Sequence, residues 1–160
     1  MSADAPVGNE FTLVGATILQ EFTDNNAKHG GLVKLIYTPS RVEGLSSALV
    51  FKQLRSDQSG TGYFSPDRQQ LIYLDSAYST AIFNDRFVFK SSLGLGEEVI
   101  NNDIRNNFVK VELALRGWFD DVNALDGRLG CSNSGDGISN RNASHYRYCY
   151  AMLNYRHALE

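Results

Sequence analysis

The stretch Phe108-Val-Lys-Val-Glu-Leu-Ala-Leu-Arg-Gly-Trp-Phe119 decides the fold, because it fits two different periods. In the first, apolar residues at Val109, Val111, Leu113 and Leu115 alternate with Lys110, Glu112, Ala114 and Arg116. A period of two is typical of a strand with one buried face. A wider apolar set recurs instead at spacings of four and three, as on an amphipathic helix. Its members are Ile100, Ile104, Phe108, Val111, Leu115, Trp118, Val122 and Leu125.

The strand is the favoured interpretation. A helix would place Val109 and Leu113 on its wet face and would have to include four asparagines and Gly117, which are poor helix formers. In the strand, Lys110, Glu112 and Arg116 should face water while the valines and leucines face inward, and the asparagine pairs should lie outside it. A short helix is expected from Glu97 to about Ile104, because its two initial acids suit the positive end of the helix dipole. The alternative is an α+β fold with one long helix over 97–125.

Alternating or apolar segments and turn signals recur along the whole chain, without a repeat or a change of composition that would mark a second domain. Seven or so strands predict a mainly β fold: one antiparallel β-sandwich or jelly roll with one or two short helices. Residues 11–158 form this single domain. Residues 1–10 read as a flexible lead, and 159–160 as a remnant of a tag junction.

Composition narrows the function classes. The 160 residues contain 15 basic and 18 acidic side chains, which gives a net charge of −3. No basic run is present, so no nucleic-acid partner is expected. No stretch of about 18 apolar residues occurs either, which predicts no membrane span. Residues 1–10 lack the pattern of a signal peptide.

The two cysteines, Cys131 and Cys149, flank a loop rich in glycine, serine and asparagine. They are candidates for a disulfide, which in an oxidising compartment would add roughly 3 kcal/mol by closing this loop. Two reduced thiols are the alternative. An extracellular, virion or periplasmic location is slightly favoured over the cytoplasm.

The search for catalytic and metal-binding patterns gives no candidate. The three histidines, His29, His145 and His157, have no neighbours that suggest a nucleophile–base pair, and no Gly-x-Ser-x-Gly elbow occurs. Asp120, Asp121 and Asp126 do not have the spacing of a calcium loop. We therefore predict no enzyme activity, no cofactor and no metal.

The last third of the chain supplies the candidate binding residues. Tyr146, Tyr148 and Tyr150 should share one face of a final strand, and Arg147 and Trp118 complete the set. Tyrosine and arginine dominate protein interfaces, and tyrosine rings also stack on sugars. The third interpretation is that these rings pack into the core.

These observations predict a non-enzymatic structural or assembly subunit of a larger particle or surface appendage, of the phage, capsid or pilus type. It would act through contacts with homo- or hetero-oligomeric protein partners. The alternative is a secreted glycan-binding module, which would need exposed aromatic rings and the Cys131–Cys149 bond.

Overall fold

The computed structural model describes residues 2–23, 25–58, 66–120, 122–134 and 147–157. They form nine strands: β1 (Ser2–Pro6), β2 (Phe11–Glu21), β3 (Ala27–Tyr37), β4 (Leu45–Ser56), β5 (Gln69–Ile82), β6 (Phe87–Ile100), β7 (Ile104–Trp118), β8 (Asn123–Ser132) and β9 (Tyr148–His157). All nine belong to one sheet, in which each strand pairs antiparallel with the next one along the chain. The described part of the chain is therefore a meander without a crossover.

Residues that tolerate a left-handed backbone make the tight connections. Asn101 and Asn102 have φ values of 52° and 64° and connect β6 to β7. Asn84 and Asp85, with φ values of 55° and 63°, connect β5 to β6. Asparagine and aspartate adopt this conformation at low energetic cost, because their short side chains bond to nearby backbone. These turns give the long, uninterrupted registers of β5, β6 and β7.

The mainly β prediction is confirmed, and the alternating segment lies within the strand β7. The alternative helix over 97–125 and the short helix from Glu97 to Ile104 are wrong, because the described residues of both ranges lie in strands and turns: β6 and β7 for the short one, and β6, β7 and the start of β8 for the long one. Pairing with β6 satisfies the backbone here, and a tight turn at Asn101 replaces the expected helix. Asn106 and Asn107 lie inside β7 and not before it. A sandwich is not confirmed, since the described strands make one sheet. Within the predicted lead, Ser2–Pro6 form β1 on the edge of that sheet.

The pairing register divides the side chains between two faces, because residues directly opposite each other in a sheet point to the same side. One face contains the row Leu13, Leu35, Leu49, Leu74, Leu95 and Val109, one residue from each of β2 to β7. We call this side the apolar face. The other side contains Val50, Tyr73, Lys110 and Glu112, and we call it the mixed face.

Apart from Phe87, the buried hydrophobic residues lie on the mixed face. The large ones among them are Val50, Leu54, Leu71, Ile100 and Phe108. The Tyr73 ring contacts the Phe108 ring with centroids 4.7 Å apart. Room for Tyr73 comes from β6, where a Cβ at Gly96 would overlap the backbone of Ile72 and Tyr73. Glycine at this position lets neighbouring strands approach closely, so that side chains of the mixed face bury one another.

The expected orientation of β7 is wrong for Lys110, Glu112 and the valines, although Arg116 is exposed as expected. Val109, Val111 and Leu113 are 41–45 % exposed, whereas Lys110 and Glu112 are less exposed and count as half-buried. The alternation is present, but its burial has the opposite phase from the one predicted. The physical reason is that Lys110 and Glu112 have polar partners on the mixed face, as described below, while the described residues place no second layer over the valines.

Candidate functional surface

The apolar face exposes an unusually large number of hydrophobic side chains. Along its central row, the leucines and Val109 are 39–52 % exposed. Rows on either side add more large side chains with similar exposure: Phe11, Tyr37, Leu93 and Val111 in one, Val33, Phe51 and Ile72 in another, and Leu113 and Leu129 in a third. Monomeric soluble proteins rarely expose a contiguous apolar patch larger than a few hundred Å². This face therefore indicates a binding surface.

Charged residues bound this surface at one end. On the fully described strand β6, the residues of the apolar face from Phe87 to Leu95 carry no charge, and Glu97 is the first charged one. On β7 the corresponding boundary lies between Val109 and Arg105. At about 3.4 Å per residue, the uncharged length of β6 is roughly 27 Å. We call the end near Glu97 the charged end.

Aromatic rings gather at the opposite end. Phe87 contacts Phe83 and Phe119 edge to face, at centroid distances of 6.0 and 5.2 Å. Tyr155 lies at this end of the apolar face and Trp118 at this end of the mixed face, and both are more than half exposed. We call it the aromatic end. The apolar face thus lies between a charged border and an aromatic one.

Glycines leave two depressions in the apolar face. The larger, about 890 Å³, lies over Gly15 and Gly31 and is lined by Val33 and Phe51. The smaller, about 420 Å³, lies over Gly127 between Leu113 and Leu153. Both are shallow openings of the same surface, and neither brings together a set of acidic or nucleophilic groups in the described residues that line it.

The mixed face pairs its charges across glycines. In the register, Gly94 lies between Asp75 and Lys110, and the Lys110 Nζ is 3.8 Å from the Asp75 Oδ2. In the same way Gly130 lies between Glu112 and Tyr150, whose hydroxyl donates a hydrogen bond to the Glu112 carboxylate. Without a side chain on the middle strand, groups two strands apart can meet. We call these two arrangements the glycine-spanned pairs.

The environment of Tyr150 affects its ionisation. Burial, together with the hydrogen bond to Glu112, raises the pKa of Tyr150 to about 12. Both causes act against the phenolate, because it is poorly solvated there and would lie beside a carboxylate. Tyr150 is therefore a neutral hydrogen-bond donor at physiological pH.

Asp126 forms the most connected ion pair of this face. Its Oδ2 accepts hydrogen bonds from Arg116 Nε at 2.9 Å and from a terminal Arg116 nitrogen at 2.6 Å, and its Oδ1 accepts one from Arg128 Nε at 3.2 Å. These hydrogen bonds, Arg116 first, lower the pKa of Asp126 from its ordinary value. An ionised carboxylate between two guanidinium groups is thereby favoured.

A buried carboxylate lies at the charged end of the mixed face. Glu98 is 1 % exposed, and its Oε1 accepts hydrogen bonds from Gln69 Nε2 at 2.6 Å and Ser134 Oγ at 2.8 Å. A carboxylate buried in this way requires such donors. Sequence reasoning missed Glu98 and interpreted it as the start of a helix. The alternation of β6 after Ser92 and Gly94 was the signal that could have placed it on the mixed face.

The predicted disulfide lies within the described residues. Cys131 and Cys149 are direct partners in the register of β8 and β9, and their sulfurs are bonded. The sequence separation is 18 residues. The bond joins β9 to β8.

The predicted binding residues are only partly brought together. Tyr148 and Tyr150 share the mixed face and stack at 5.8 Å, as expected from their spacing. Arg147 is exposed and precedes β9. Trp118 lies at the aromatic end, six residues along β7 from Glu112, and so does not join the tyrosine pair. Tyr146 lies outside the described residues.

Metal-binding groups and membrane-spanning helices are both absent from the described residues. No group of three or more histidine, cysteine or acidic side chains there could hold a metal ion. The same residues include no helix with the length and apolar character to cross a bilayer. Comparison with protein-family models, with curated proteins and with solved structures finds no match.

Proposed function

We propose that this protein is a non-catalytic structural subunit that is held in a larger assembly by its apolar face. One observation carries the proposal: leucine, valine and phenylalanine side chains from β2 to β7 form a continuous exposed surface. Exposing so much apolar area to water is unfavourable by about 25 cal/mol per Å², so covering it supplies a large driving force for association.

The mixed face supports the same proposal. Several of its charges pair with each other, as in the Lys110–Asp75 pair and the cluster of Asp126 with Arg116 and Arg128. Contacts of this kind shape and stabilise the sheet. The apolar face has no comparable role within the described fold, and association is the role that its composition suits.

Concentration-dependent light scattering of the purified chain in detergent-free buffer tests the proposal. We expect assemblies larger than a monomer across the accessible range. Converting the facing pair Leu49 and Leu74 to lysine (L49K/L74K) should shift the chain towards the monomer, because it places two charges in the central row. The control is Ala81→Lys, at an exposed position of the mixed face. A monomer at every concentration for the unaltered chain would contradict the proposal.

A second candidate function is glycan binding, which the tyrosine pair favours. Tyr148 is 41 % exposed beside Tyr150, and the Cys131–Cys149 bond fixes the strand that carries them. Neighbouring rings of this type could stack on a sugar. A glycan array should then give hits that Tyr148→Ala abolishes while Trp118→Ala retains them. An array without hits would remove this candidate.

A further inference from the structure

We infer that the apolar face contacts the hydrocarbon of a lipid bilayer; the inference rests on the proposed function and names the partner that covers this face. The first observation is the distribution of polarity. In a protein surrounded by water, the apolar side of an amphipathic sheet is the buried one. Here Glu98 and Gln69 are buried on the mixed face, while Leu74 and Leu95 are about half exposed.

The second observation is what the surface lacks. Protein interfaces carry hydrogen-bonding groups and arginines among their apolar residues, at about one hydrogen bond per 100–200 Å². On the described strands β6 and β7, the apolar face between Leu95 and Phe87, and between Val109 and Leu115, offers a single polar side chain, Ser91. A surface that contacts hydrocarbon must lack polar side chains, because hydrocarbon cannot form hydrogen bonds with them.

The third observation is the length of the surface. The uncharged part of β6 measures roughly 27 Å along the strand, close to the thickness of a bilayer's hydrocarbon core, which is about 30 Å. Strands of 14 and 15 residues, such as β6 and β7, are long enough to cross this layer even when tilted. A dimer interface imposes no such length.

The fourth observation is the composition of the two ends. Tyr155 lies at the aromatic end of the apolar face, Trp118 ends the mixed face of β7 at the same end, and Arg86 lies in the adjoining turn. Tryptophan and tyrosine prefer the boundary between headgroups and hydrocarbon, where one part of the ring system is apolar and another is hydrated. Glu97 and Arg105 at the charged end would lie in the other headgroup region. The uncharged stretch of β6 thus has a charged residue beyond each end, Glu97 and Arg86, as a segment that spans the hydrocarbon core requires.

Labelling of single cysteines in the full chain tests the inference. The sequence has two cysteines, and these are bonded to each other, so an introduced thiol can be labelled selectively. Leu95→Cys places a bimane fluorophore in the centre of the apolar face. Lys90→Cys is the matched control, since Lys90 is exposed on the mixed face of the same strand. Both variants are folded into phosphatidylcholine vesicles with and without bromine on the acyl chains.

We expect acyl-chain bromine to quench the label at 95 severalfold more strongly than the label at 90. A chain that stays off the vesicles, with position 95 protected inside an aqueous oligomer, would overturn the lipid inference and leave the proposed function standing. A monomer with both labels open to water would overturn both. Equal quenching at both positions would also contradict the one-sided contact.

A second measurement does not depend on labelling. Leu95→Arg introduces a charge at the middle of the apolar surface and should reduce the vesicle-bound fraction by about tenfold or more. Ala81→Arg, on the mixed face, should leave that fraction unchanged. Circular dichroism of both variants shows whether the strands have formed. Equal vesicle binding by two folded variants would contradict the inference.

Discussion

The two faces of the sheet differ in what stabilises them. On the mixed face, buried residues such as Val50 and Phe108 adjoin satisfied polar groups, including Glu98 and the Asp126 cluster. On the apolar face, larger and more hydrophobic side chains remain half exposed. Stability of the described fold should therefore depend on the mixed face, and association on the apolar one. Substitutions matched between the two faces separate these roles.

The largest expected difference concerns core packing. Phe108→Ala removes a ring that is 4 % exposed and contacts Tyr73, so it should lower the free energy of unfolding by about 3–5 kcal/mol. Leu95→Ala, on the apolar face, should lower it by less than about 1 kcal/mol in water, because Leu95 is already 52 % exposed. Urea unfolding of both variants in the same buffer checks this. Equal losses would remove the distinction between the faces.

The disulfide should have the next largest effect. Replacing both Cys131 and Cys149 by serine should lower the free energy of unfolding by roughly 3 kcal/mol, because the bond restricts the unfolded chain across an 18-residue separation. Thermal unfolding of the unaltered chain with and without reductant gives an independent value. A reductant that leaves the unaltered chain unchanged would show that the bond does not contribute.

Two glycines of β8 give a smaller and more specific comparison. Gly130→Val should destabilise by about 1–3 kcal/mol, since a Cβ there would lie 2.7 Å from the Tyr150 ring and disturb its hydrogen bond with Glu112. At Gly127, on the apolar face, the nearest atom would lie 3.5 Å away, at Leu153. Gly127→Val should therefore be close to neutral. The reverse order in urea unfolding would contradict the role assigned to the glycine-spanned pairs.

The smallest expected effect is a dependence on pH. Because Arg116 and Arg128 lower the pKa of Asp126, its carboxylate stabilises the folded state above the ordinary aspartate pKa of about 4. This contribution is lost as the pH falls through the lowered value. Asp126→Asn should reduce the loss of stability on acidification. Glu10 and Asp120, whose pKa values are also lowered, remain in both proteins and cancel.

Urea midpoints measured at about pH 6 and about pH 3 for both proteins provide the comparison. The unaltered chain should lose more stability than Asp126→Asn over this interval. An equal loss would mean that the two arginines do not bias this carboxylate.

The sequence predicted the β7 strand but not the direction of its burial. Alternation of Val109 and Val111 with Lys110 and Glu112 identifies two faces, and the pattern is the same whichever face is buried. We expected the valines to lie inside, as they do in most sheets. The partners that hold Lys110 and Glu112 on the mixed face, Asp75 and Tyr150, are 35 and 38 residues distant in sequence. No local pattern could reveal them.

The number of sheets in the fold could not be predicted from the sequence, for a related reason. Strands separated by turns predict an antiparallel sheet equally well for a sandwich and for a single meander. Which strands pair decides between them, and the pairing partner of a strand is not marked in its own sequence. The disulfide candidate and the shared face of Tyr148 and Tyr150 were accessible from spacing alone.

An accessibility scan along β7 tests the account most directly. One nitroxide label is placed at each of positions 109 to 113, in five separate variants bound to vesicles. The rate at which each label collides with oxygen is then measured, because oxygen concentrates in apolar surroundings. If the apolar face contacts lipid, we expect a period of two, with high oxygen accessibility at 109, 111 and 113 and low values at 110 and 112. The same period with maxima at 110 and 112, or a period near 3.6, would contradict the account.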